Sequence, residues 1–95
     1  MTNMDRLKVL FEEIGGYQQA LEDEMTIRTA GPEIYRRVLE VQILLPPGNA
    51  HIWNDFRMWI VQSWATAHQR GGDEEAEPWR VFLGEITDLL GPAPD

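Results

Sequence analysis

The chain has 95 residues, sixteen Asp and Glu against eight Lys and Arg, a formal net charge of −8, and no cysteine. That excludes a disulfide framework, a thiol nucleophile and a Cys-type zinc site. It also argues against ordinary nucleic-acid binding, which needs a basic patch to displace counterions, and against anionic membrane surfaces.

Length and composition suit a single helical domain over 1–95, with residues 1–3 frayed and 92–95 a loose tail. No apolar run approaches a membrane span. The start, MTNMDRLKVLFEE, places acids where a signal peptide would be basic and then apolar, so the expected location is cytoplasmic.

Asn3 is a candidate helix cap. Leu7, Leu10, Phe11 and Ile14 then fall on one helical face. Gly15-Gly16 predicts a break, because an interior glycine costs about 1 kcal/mol relative to alanine. Tyr17, Leu21 and Met25 nevertheless keep the same phase, and the alternative is one thin-waisted helix from about 4 to 28. Ala30-Gly31-Pro32-Glu33 reads as a stop and a restart, with Pro32 in a first helical position. Ile34, Val38, Val41 and Leu45 follow at helical spacing, with Glu33–Arg37 and Arg36–Glu40 four residues apart. The near-alternation of Leu39, Val41, Ile43 and Leu45 leaves a strand as the rival, with residues 25–29 as its partner. Pro46-Pro47-Gly48 closes the segment.

The longest uninterrupted helical pattern is about 49–69, capped by Asn49 and ended by Gly71. It carries three of the four tryptophans, Trp53, Trp59 and Trp64. Its apolar arc is wider than the usual stripe of about 100°, which predicts a central place in the packing. Residues 71–77 read as an acidic connection. Pro78 opens a last helix whose face is Trp79, Phe82, Leu83, Ile86 and Leu90, and Gly91-Pro92 ends it. The expected fold is all-α: a small bundle or orthogonal array of four to five helices around the Trp-rich one.

No phosphate-binding glycine spacing is present. His51 and Asp55 lie four residues apart, with His68 far along the same segment. A metal site needs three or four converging ligands, and Ser63 has no His or acid at motif spacing. No catalytic, metal or cofactor site is therefore expected, and the chain reads as a non-enzyme.

The remaining candidates are surfaces. The acidic set is Glu22, Asp23 and Glu24 with Asp73, Glu74, Glu75 and Glu77. The apolar set is Met58, Trp59 and Ala65, since Met and aromatics are enriched in interface cores. Together they suggest a non-catalytic protein-binding protein, either an inhibitor, an accessory subunit or an assembly factor, whose partner is another protein. One alternative is an acidic nucleic-acid mimic of the phage anti-defence, anti-CRISPR-like kind, in which carboxylates stand in for phosphates on a basic target; this is analogy, with no motif behind it. A further alternative is a self-associating structural protein that forms a homodimer.

Overall fold

The computed structural model describes residues 2–23, 25–45 and 50–91, with Asp23 and Ala50 described by their backbone alone. All regular structure among them is helical: α1 (Asn3–Asp23), α2 (Ile27–Leu44), a 3₁₀ turn (Ala50–Trp53) and α3 (Asn54–Leu90). The all-α expectation holds, and its four to five helices hold only coarsely: the described residues form three α-helices, the last of them broken into two arms at Gly72. By internal contacts the chain divides into two units, Met1–Pro46 and Pro47–Asp95.

The first unit is an antiparallel pair, α1 and α2. The cap of α1 is Thr2 rather than Asn3: the Asp5 N–H donates to Thr2 Oγ1 (3.2 Å), and Asp5 Oδ2 accepts from the Thr2 N–H (3.4 Å). This reciprocal bonding satisfies donors that a helix start leaves orphaned. The expected break at Gly15-Gly16 does not occur, and α1 runs unbroken to Asp23. Both glycines are exposed, and a Cβ on either would meet nothing within 4 Å. Among the described residues no other backbone approaches them, so they form a waist on the exposed side of the helix. Leu7, Leu10 and Ile14 are buried on the opposite face. At about 1.5–3 kcal/mol per buried apolar side chain, their burial exceeds the propensity lost at two glycines.

The expected stop at Ala30-Gly31-Pro32-Glu33 also fails, for the same reason. Ile27, Ala30, Gly31, Ile34, Val38 and Val41 are buried along one face. Pro32 is exposed in the second turn, where it costs one backbone hydrogen bond. The helix starts instead after Thr26, whose extended backbone (φ −97°, ψ 157°) offers its carbonyl to the N–H groups of Thr29 and Ala30. Residues 38–44 are helical, as the longer pattern implied, and the strand alternative falls with them. Leu45 ends α2 in extended backbone, its N–H bonded to the Val41 carbonyl. Residues 46–49, which include the expected Asn49 cap, lie outside the described set, as do residues 92–95.

The second unit is a hairpin of two helical arms, together α3, joined at a non-helical glycine. α3 bends at Gly72 (φ 69°, ψ −154°) into arms 54–71 and 73–90. The arms run back along one another: the Trp59 and Trp79 rings meet edge-on, and Arg57 Nη2 donates to the Gly91 carbonyl at 2.8 Å. The acidic stretch after Gly72 is therefore not a loop. Asp73, Glu74 and Glu75 form the first turn of the second arm, where negative charge complements the helix dipole. Pro78 lies within this arm and does not open it. Gly91 closes it with φ 80° and an N–H bonded to the Thr87 carbonyl, as a C-terminal glycine should.

Trp53 is the most buried tryptophan, at 2% exposure. A run of ring contacts links it to Phe56, Phe56 to Trp59, and Trp59 to Trp79, with centroids 5.4–5.6 Å apart. Trp64 is half-buried and stacks on His68. No polar or charged side chain among the described residues is buried.

Candidate functional site: an uncharged face on the Trp-rich arm

At about 100° per residue, the buried residues Phe56, Ile60 and Ala67 share one side of the 54–71 arm. Met58, Val61 and Ala65 fall within roughly 60° of one another on the other side. Met58 is 56% exposed and Val61 43%. Asn54 begins this line, and the spacing 54, 58, 61, 65 alternates four and three residues. Four-three spacing is the one by which a helix can offer a single seam to another helix. Gln62 and Gln69 flank the seam and are exposed. The four seam residues carry no charge, in a chain whose net charge is −8; Asp55 heads the Gln62–Gln69 flank, and Arg57 and His68 lie along the other.

Met58 and Ala65 thus share the expected apolar face, but Trp59 does not. It lies about 100° from Met58 and turns into the hairpin, between Phe56 and Trp79. Val61 takes its place at the centre of the face. Its signal is in the sequence as the 58–61–65 spacing, beside a tryptophan whose place depends on the second arm.

The acidic candidates are spread over both units. Glu22 is exposed near the end of α1; Asp23 is described by backbone alone, and Glu24 lies outside the described residues. In the second unit Asp73, Glu74, Glu75 and Glu77 are all exposed at and just beyond the Gly72 bend. Asp73 Oδ1 pairs with His68 Nε2 at 3.0 Å, across the bend. Glu77 pairs with Arg80, whose Nε donates to Glu77 Oε2 at 2.8 Å, and this holds the Glu77 carboxyl below the usual carboxylate range.

Other acids are engaged with arginines between α1 and α2. Arg6 binds Glu40 through both Nε and Nη2 (2.9 Å for the latter) and depresses the Glu40 pKa. Arg37 reaches the Glu33 carbonyl (2.9 Å), the Glu33 carboxylate (3.0 Å) and Glu13 (3.5 Å), with its guanidinium over the Tyr17 ring. Arg6, Glu13, Arg36, Arg37 and Glu40 line a cleft of about 160 Å³. Its lining holds three arginines against two glutamates, and Glu33 also bonds Arg36 and Arg37, so most of its charge is already paired within the protein.

His51 and Asp55 are exposed at the start of the first arm, Ser63 is half-buried, and His68 is engaged with Trp64 and Asp73. No three His, Cys, Asp or Glu converge as a metal set among the described residues, and no described helix is long and apolar enough to cross a membrane. Comparison with protein-family models, curated proteins and solved structures gives no match.

Proposed function

We propose that this chain is a non-catalytic protein-binding protein that docks a helix of its partner on the uncharged face of the 54–71 arm. The observation that carries the proposal is the Met58–Val61–Ala65 line, with two exposed apolar side chains at its centre. Charged residues are depleted at interface cores and Met is enriched there. The role is that of an accessory subunit, inhibitor or assembly factor, with affinity drawn from apolar burial rather than from the acidic runs.

A nucleic-acid mimic is the second reading, favoured by the exposure of Asp73, Glu74, Glu75 and Glu77 at one tip. It is weakened by the local tasks of those acids: three stand in the first turn of a helix, Asp73 is bonded to His68 and Glu77 to Arg80.

The experiment is affinity capture from the source cell with three baits: wild type, Met58→Glu, and Glu74→Lys/Glu75→Lys. A partner that survives high salt, is lost with Met58→Glu and is retained by the charge-reversed bait supports apolar docking. A nucleic-acid enzyme lost at high salt and lost with the charge-reversed bait supports the mimic and overturns the first reading.

A further inference from the structure

We propose that the helix seated on the Met58–Val61–Ala65 face is the same arm of a second copy, paired antiparallel about a two-fold axis between Met58 and Val61. This rests on the protein-binding reading above and names the partner of that surface.

The first reason is shape. A two-fold contact is self-complementary, so each residue must suit its symmetry mate. An antiparallel seam of four-three spacing pairs Met58 with Val61 of the second copy, Val61 with its Met58, Asn54 with its Ala65 and Ala65 with its Asn54. The two exposed apolar side chains of each copy form one four-residue centre. At each end a small residue faces a short polar one, which lets the helices approach.

The second reason is charge. The second unit holds eight acids against three bases, so two copies repel unless their contact avoids the acidic positions. The seam's four residues are neutral; Asp55 heads the flank of Gln62 and Gln69, Arg57 and His68 lie on the other, and in the antiparallel pair the two Asp55 residues stand about 13 Å apart along the axis. Orientation follows from the same constraint. A parallel pair would set Asp73, Glu74 and Glu75 beside their own copies. The antiparallel pair carries the two tips to opposite ends, roughly 40 Å apart at about 1.5 Å rise per residue. That is several times the screening length of about 8 Å at physiological salt.

The test is the mass of the full chain by sedimentation across a concentration series reaching the millimolar range, for wild type and for Val61→Glu, whose site is exposed. The expected result is a wild-type mass rising to twice the 11.0 kDa of one chain, and 11.0 kDa throughout for the variant with unchanged helical circular dichroism. Added salt should strengthen the association, because it screens the repulsion and leaves the seam alone. A second variant fixes the orientation: Glu74→Cys, spin-labelled in a chain with no other cysteine, should give a separation near 40 Å. A monomer at every concentration, a dimer untouched by Val61→Glu, or labels in close proximity would each overturn the proposal. A monomer that still captures a foreign partner through Met58 would overturn this inference alone and leave the protein-binding reading in place.

Discussion

Trp59 and Trp79 meet edge to face with ring centroids 5.4 Å apart, although twenty positions separate them along one helix. On a straight helix those positions would lie about 30 Å apart. The contact exists because Gly72 turns the chain back, and the two observations test each other. Trp59→Ala and Trp79→Ala should each lower stability, and the double variant should lose less than the sum by about 0.5–1.5 kcal/mol, the range measured for aromatic pairs. Denaturant melts of the four proteins read this directly. Additive losses would mean that the rings do not meet.

Gly72 holds φ 69° and ψ −154°, a region open in practice to glycine alone. Gly72→Ala should cost about 1–3 kcal/mol and lower the melting temperature accordingly. Gly15→Ala and Gly16→Ala have the opposite sign. Both positions are helical and open to solvent, so each should gain about 0.5–1 kcal/mol. Thermal melts of the three variants check one claim against the other.

Glu40 gives a pH dependence. The hydrogen bond from Arg6 holds its carboxyl below the ordinary value, so the folded state prefers the ionised form. A depressed acid stabilises above its unfolded pKa, about 4.3 for glutamate, and that contribution disappears as pH falls through the lower folded value. Wild type should therefore exceed Glu40→Gln in stability at neutral pH. The difference should shrink as pH drops below the ordinary glutamate range. A constant difference across that window would show that the pairing with Arg6 is not maintained in solution. Glu77, depressed by Arg80, should behave in the same direction.

The two functional readings differ in the sign of their response to salt. Apolar docking should persist from low to high salt, while binding through Glu74 and Glu75 should weaken steeply. Titrating the recovered partner against wild type at two ionic strengths, and against Met58→Glu, gives a pattern that only one of them fits.

Much of this was legible in the sequence. The apolar phase of Leu7, Leu10 and Ile14 and of Trp79, Phe82 and Ile86 marked the helices, and Gly91 marked an end. The misplaced boundaries share one cause. Gly15, Gly16, Pro32 and Pro78 are local penalties of about 1–3 kcal/mol, and each lies in a helix whose opposite face is buried. The continuing phase through Tyr17 and Leu21 carried the correct answer against the glycines, and Ile27, Ala30 and Ile34 did so against Pro32. For the candidate surface, the helical angle separated Met58 and Ala65 from the buried side. The fate of Trp59 depended on where the 73–90 arm lies, which is a property of the Gly72 bend and not of the local pattern.

Both Arg6–Glu40 and Arg57–Gly91 join residues 34 positions apart, and each pair closes within its own unit. Helical proteins whose contacts lie mainly between near neighbours in sequence fold in microseconds to milliseconds. A chain of this kind exposes its core-forming faces only briefly after synthesis, so the Met58–Val61–Ala65 line is carried by an already folded hairpin rather than by a slowly collapsing intermediate.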